Sequence, residues 1–357
     1  MLWVNGVPPD KSAAADNSSS DLANSVLSTV SYSPQDMPDL YNSALTRPAQ
    51  QLNAFTVDVE DYFHVAALSS AIPRDTWATR ELRVEANTDR LLGILEERRI
   101  RATFFVLGWV AERTPTLVRR IAAAGHEVAC HGYSHKLVYT QTPAEFREET
   151  VRAKSCLEDT LGHSVLGYRA ASFSVTRQSL WALDVLIDLG FRYDSSIFPI
   201  HHDLYGIPGA TPEPHRVTAP SGRTIAEFPM SAASFFGLHV PVSGGGYFRI
   251  LPYWLTRAGL KQINEKSKRP FAFYLHPWEL DPGQPRIKVG AFSRFRHYTN
   301  LSRCEARLRR VLGEFAFGSM EEALQQRGLL AEVTAPMRQR SLLAAPPPLA
   351  QQPLSAG

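Results

Sequence analysis

The stretch FTVDVEDYF, residues 55–63, carries an apolar strand pattern into three acids, Asp58, Glu60 and Asp61. Carboxylates this close repel one another, so a strand that ends in several of them needs a cation or a proton-transfer role to offset the cost. Further along, HGYSH sets His131 and His135 four positions apart, near enough on one turn or compact loop to aim two imidazole lone pairs at a single ion. Alone, an H-x-x-x-H pair is as readily a polar loop beside a strand. Together with the acids it completes two histidines and a carboxylate, the donor set of an open metal site. Arg169 closes VLGYR, Asp194 lies in FRYDSS and His276 closes FAFYLH, so each follows a short apolar run.

Those runs alternate with helical patterns. LNAFTVDV, ATFFVLGWV, HEVAC, VLGYR, FRYDSS, TIAEFP and FAFYLHP read as strands; NTDRLLGILEERR, LVRRIAAA, TPAEFREETVRAKSCLEDTLG, QSLWALDVLIDLG and PYWLTRAGLKQIN read as helices. Asn87, Thr88 and Asp89 are capping candidates for the first helix, while Thr142, Pro143 and Glu145 spell a capping box that Gly162 terminates. Such alternation predicts a parallel sheet, open or closed into a barrel, with the carboxyl ends of its strands on one face. Five polar strand ends would then meet in one pocket.

FTVDVEDYF, HGYSH, GYRAASFS, YDSSIFP and FYLHPWE, in that order, resemble the successive motifs of the polysaccharide deacetylases, the NodB-like carbohydrate esterases. ATFFVLGWVAERTP, GGGYFR and FRHYTNL are most similar to the branch found beside exosortase and exopolysaccharide gene clusters. The resemblance runs from about residue 53 to about residue 300. It implies a distorted, incomplete (β/α) barrel that removes acetyl groups from N-acetylated sugars with one divalent metal. It makes Asp58 the general base, His131 and His135 metal ligands and His276 the general acid, with Arg169 paired to Asp58 and Asp194 orienting His276. The family's second aspartate is missing, because Val59 follows Asp58, and the carboxylate ligand is either Glu60 or Asp61. If the chain stays extended, Glu60 shares a face with Asp58. Tyr168, Phe173 and Trp278 are candidates for sugar contact, and Cys130, where the family often has serine, reads as a small buried residue.

The chain has 357 residues, 44% hydrophobic and 20% charged, with a net charge of +3 spread among acids, which argues against a nucleic-acid partner. Cys130, Cys156 and Cys304 cannot all pair and form no C-x-x-C, so neither a disulfide framework nor a zinc knuckle is expected. No apolar run suits an export signal or a membrane span, which points to the cytoplasm unless the start lies elsewhere. Residues 1–50 read as a disordered leader, 51–335 as the catalytic domain and its extension, and 336–357 as a Pro/Ala-rich tail. The expected substrate is an N-acetylhexosamine unit of an exopolysaccharide or envelope glycan, and assembly machinery for that polymer is the expected partner. Zinc, or else cobalt, nickel or iron(II), suits the donors. An amidohydrolase of small non-peptide substrates and a catalytically silent sugar-binding protein are the alternatives.

Overall fold

The strands are β1 (Asn53–Val59), β2 (Thr103–Val106), β3 (Glu127–Cys130), β4 (Gly167–Tyr168), β5 (Tyr193–Asp194), β6 (His215–Thr218), β7 (Thr224–Glu227), β8 (Ala232–Phe235), β9 (Leu238–Pro241), β10 (Ala272–Leu275) and β11 (Phe317–Gly318). They come from a computed structural model that describes residues 51–202, 205–235 and 237–331. The expected leader, and the tail from residue 336, lie outside the described residues. One sheet runs in the order β10-β1-β2-β3-β4-β5-β7-β6, with β11 also paired to β1. Every pairing in it is parallel except β6 with β7. Its two end strands do not pair with each other, so the sheet curls without closing, the incomplete barrel that the motifs imply.

Helices α1 (Val84–Arg98), α2 (Gly108–Arg113), α3 (Pro115–Ala123), α4 (Pro143–Leu161), α5 (Trp181–Asp188), α6 (Gly245–Ile250), α7 (Tyr253–Lys261), α8 (Ala291–Tyr298), α9 (Leu301–Glu314) and α10 (Met320–Gln326) alternate with the strands. β1 is buried along its whole length, and its residues divide by parity. Phe55, Val57 and Val59 join one apolar cluster, with Phe104, Val106, Val128 and Cys130 from the neighbouring strands. Ala54 joins a second, with Phe105, Ala129, Ala272 and Tyr274. Since side chains alternate along a strand, Thr56 and Asp58 lie on the second face, as do the residues that extend Ala129 to His131 and Tyr274 to His276. This inner face is where polar groups gather.

Local signals hold in α4, where Thr142 and Glu145 form the capping box and Gly162 ends the helix at φ 76°. Two expectations change. ATFFVLGWV is a strand only to Val106, and Gly108 opens α2. A methyl at Gly108 would lie 2.8 Å from the Ala153 Cα, so the glycine admits close contact between α2 and α4. An apolar run does not by itself distinguish a buried strand from a buried helix. Helix α1 begins at Val84, leaving Asn87, Thr88 and Asp89 inside it. Its free N–H groups are met from outside the helix: the Asp61 carboxylate accepts from Arg83 N at 2.6 Å and Val84 N at 2.9 Å.

Two histidines, His64 buried and His126 half-buried, accept hydrogen bonds that protonation would remove. His64 Nδ1 accepts from Asp61 N at 2.8 Å and His126 Nδ1 accepts from Ala102 N at 3.2 Å, roles only the neutral ring fills. Burial lowers their pKa values to about 3 and about 4 respectively. The unfolded chain takes up these protons near pH ~6.5 while the native state refuses them, so the unfolded state binds more protons and stability drops as pH falls below that value. Relative to His126→Gln, the denaturant midpoint of the unaltered protein is expected to fall as pH drops from about 6.5 towards about 4, because only the unaltered protein carries the His126 contribution. A difference between the two proteins that does not change with pH would contradict the neutral assignment of His126.

Candidate active site

Arg169 leaves β4 onto the inner face and is completely buried. Its Nη1 donates to Asp58 Oδ1 at 2.6 Å and to Thr56 Oγ1 at 2.8 Å; Nη2 donates to Ser195 Oγ at 3.0 Å. The guanidinium lies 4.1 Å from the Phe105 ring centroid. Asp58 therefore has one oxygen fixed by a permanent cation, and its Oδ2 lies 3.9 Å from His276 Nε2.

His131 Nδ1 lies 2.9 Å from the Arg169 carbonyl oxygen, which can only accept. That nitrogen therefore carries the proton, and Nε2 keeps its lone pair. Burial lowers the pKa of this ring to about 4, so it stays neutral. His135 reaches the same point through a left-handed backbone at φ 53°, a strained conformation for a side chain of this size. Its Nε2 is 3.0 Å from Glu60 Oε2, yet off the line of a directed hydrogen bond, and that oxygen has no hydrogen-bond partner. One atom each from Glu60, His131 and His135 lies within 4.8 Å of the others, all three residues buried. Burial alone would raise the Glu60 pKa, but the neighbouring His135 and His276 hold it well below the ordinary range. The donor chemistry fits a divalent cation: two imidazoles and a carboxylate converging in a buried site.

Asp61 does not join them. Its carboxylate faces α1 and also accepts from Tyr62 N at 2.8 Å, so it serves the helix terminus. Of the two carboxylates left open by the sequence, Glu60 is the one that shares the inner face. Cys130 points to the other face, and burial pushes its thiol up to about 12, so it offers no thiolate.

His276 is oriented by a partner other than the expected Asp194. Its Nδ1 lies 2.8 Å from Glu279 Oε1, and Glu279 Oε2 accepts from Arg249 Nε at 2.5 Å. Arg249 is itself buried, donating also to the His297 and Thr299 carbonyls at 3.0 and 2.7 Å. With Nδ1 committed to Glu279, Nε2 faces the cleft, 3.4 Å from Glu60 Oε1. Burial pulls the His276 pKa down, but Glu60, Glu279 and Asp58 outweigh it and bring it up to about 9. Asp194 turns the other way. Its neighbour Tyr193 lies in the inner cluster, so by alternation Asp194 faces outward, in register with Glu227 of β7 and bonded to Ser196 Oγ at 2.5 Å.

A cavity of about 290 Å³ opens over this constellation, lined by Asp58, Glu60, His131, His135, His276 and Phe173 among others. Phe173 and its neighbour Ser172 have φ 53° and 51°, a strained pair in the cavity wall. Tyr168 does not serve the cavity as expected: it alternates with Arg169, and its ring packs on Phe146 and Phe191 in the outer cluster. Trp278 lines the cavity, and its ring stacks with those of His276 at 5.2 Å and His297 at 4.4 Å between ring centroids. Its indole N–H instead donates to Glu60 Oε1 at 3.3 Å. Sequence reading assigns no role in the site to Arg249, Glu279 or His297. The available signal was the three-residue spacing from His276 to Glu279, which closes a capping box on the turn Pro277–Leu280.

The family model described as polysaccharide deacetylase matches residues 75–193, and one described as a domain of unknown function (DUF3473) matches residues 195–325. A chitooligosaccharide deacetylase of Rhizobium leguminosarum bv. trifolii is 52% identical over 122 residues, 33% of this chain and 50% of that protein. The chain spans less than half the length of the first curated relatives it matches. A Mycobacterium smegmatis structure assigned as a polysaccharide deacetylase shares the fold with TM-score 0.53 and 21% identity, covering 84% of this chain and 96% of that one. The PuuE allantoinase does so with TM-score 0.51 and 16% identity, covering 79% and 91%. At these identities the likeness is one of fold.

Proposed function

We propose that the chain is a hydrolase of the polysaccharide deacetylase family, whose model matches residues 75–193, and that it removes N-acetyl groups from N-acetylhexosamine units of an exopolysaccharide or envelope glycan. The observation that carries this is the convergence of Asp58, His276 and the Glu60–His131–His135 cluster on one cavity. A divalent cation, with zinc the first candidate, would be held by Glu60, His131 and His135; it would polarise the acetamide carbonyl and make water more acidic. Asp58, its other oxygen fixed by Arg169, takes the proton from the attacking water. The water oxygen bonds to the carbonyl carbon, the C–N bond breaks, and His276 Nε2–H protonates the departing nitrogen. The products are acetate and a free amine. Glu279 keeps the His276 proton donor pointing into the cleft.

The allantoinase fold neighbour keeps small amides as a second substrate class. Acetate release from N-acetylglucosamine oligomers, set against turnover of small cyclic and linear amides, with and without a chelator, separates the two. Chelator-sensitive acetate release supports the proposal; turnover of small amides alone rejects it.

The carboxylate assignment makes its own prediction. Glu60→Gln is expected to lower metal affinity by about 100-fold with the fold intact. Asp61→Asn should keep the metal and lose roughly 1–2 kcal/mol of stability through the weakened α1 terminus. Metal titration and thermal melts of both variants check this, and the reverse pattern would transfer the ligand role to Asp61.

A further inference from the structure

Between Asp281 and Glu305 the chain has no acidic residue and five basic ones, Arg286, Lys288, Arg294, Arg296 and Arg303, against +3 for the whole protein. None of these five makes an ion pair among the described residues, whereas Arg83, Arg90, Arg120 and Arg309 nearby in sequence or space are all paired. The same segment holds α8, whose Phe292 and Phe295 are 72% and 51% exposed, two of the four large apolar side chains left exposed among the described residues. They sit three positions apart, so they share one helix face; the Arg296 guanidinium lies 5.5 Å from the Phe292 ring centroid, and Arg294 projects to one side of that face. Water gives no return for exposing two phenyl rings. A phase that is apolar a few ångströms beneath an anionic surface accepts both features at once.

We propose that α8 and the preceding segment Pro285–Gly290 dock onto an anionic phospholipid surface, the phenyl rings entering the acyl boundary and the cations lying among the headgroups. An acidic polymer free in solution would neutralise the cations but leave the rings in water, which is why the bilayer is the favoured occupant. Position gives the surface a use. Phe292, Ser293 and Arg296 also line the mouth of the catalytic cavity, so docking presents that mouth to the membrane. This meaning rests on the deacetylase reading: the glycan would be taken while it is held at the membrane. The binding itself does not rest on that reading.

The test is flotation of the full chain with vesicles of phosphatidylglycerol mixed with phosphatidylcholine, with vesicles of phosphatidylcholine alone, and with a soluble acidic polysaccharide as competitor. Binding is expected to the anionic vesicles, weakening as salt rises. Lys288→Glu and Arg294→Glu should each weaken it by roughly fivefold per unit of charge lost. Phe295→Ser, which removes the ring without changing the charge, should weaken it about tenfold or more. Melting temperature reports whether each variant folds, and Lys288, on the loop before α8, provides a reading that does not depend on the helix. No binding to either vesicle, or equal binding by the Phe295→Ser protein, overturns the proposal. Full displacement by the acidic polysaccharide together with indifference to Phe295→Ser would make the patch a polyanion site instead. Acetate release from soluble oligomers, measured on the same variants, reports separately on the catalytic reading.

Discussion

Asp58→Asn is expected to lower kcat by between about 10²- and 10⁴-fold, the range over which a positioned general base contributes, while leaving cation binding at the proposed Glu60–His131–His135 site unchanged. The amide can still accept from Arg169 Nη1, now 2.6 Å from the carboxylate, so the site's shape survives. What is lost is proton affinity. The change also leaves the fully buried Arg169 without its counter-charge, and breaking a buried pair of this kind costs about 3–5 kcal/mol. Turnover must therefore be taken per folded molecule, from active-site concentration or at a temperature well below the melt. His131→Ala gives the contrasting outcome, loss of metal and of activity together. Unchanged turnover in Asp58→Asn would remove the base from Asp58.

The second large effect is expected at Glu279, a position that does not face the substrate. Glu279→Gln should lower kcat by about 10²- to 10⁴-fold with little change in KM, because an amide cannot accept from both His276 Nδ1–H and Arg249 Nε–H. Turned to serve one, it points its NH₂ at the other. A His276 that loses this bond is free to rotate or to shift its proton, and Nε2 no longer holds a hydrogen toward the leaving nitrogen. Arg249, left buried without its carboxylate, adds a stability loss of about 3–5 kcal/mol. Glu279→Asp, which retains charge and acceptor but shortens the reach, should recover part of the turnover. Asp194→Asn is the control, expected to leave kcat within a few-fold because that side chain faces Glu227 and Ser196. If Asp194→Asn were the damaging change and Glu279→Gln the mild one, the orienting role would return to Asp194.

These two positions show where reading the chain succeeds and where it stops. Parity is legible: Ala54, Thr56 and Asp58 take every second position of β1, so a common inner face follows from the two-residue period, whereas Glu60 lies past the strand, where its N–H turns back to the Asp58 carbonyl. The same period, applied to Tyr168 beside Arg169, argues for the outer cluster where Tyr168 is found. Asp194 is harder, since β5 is only two residues long and its phase is set by pairing with β4 and β7 rather than by its own pattern. The role of Asp61 is a long-range matter too, because the N–H groups it satisfies belong to residues 83 and 84 across a loop.

From sequence alone came the alternating α/β order, the strand ends that carry Asp58, His131, Arg169 and His276, and the presence of a carboxylate beside the histidine pair. All of these depend on short-range periodicity and on residue type, which the chain displays directly. That Glu60 rather than Asp61 lies beside the histidine pair, that Glu279 and Arg249 rather than Asp194 stand behind His276, and that Trp278 stacks with His276 and His297 are visible only in the folded molecule. The Glu60–His135, Arg249–Glu279 and Trp278–His297 contacts join separate segments, and which buried acid meets which buried base depends on the curl of the sheet and the packing of the helices around it.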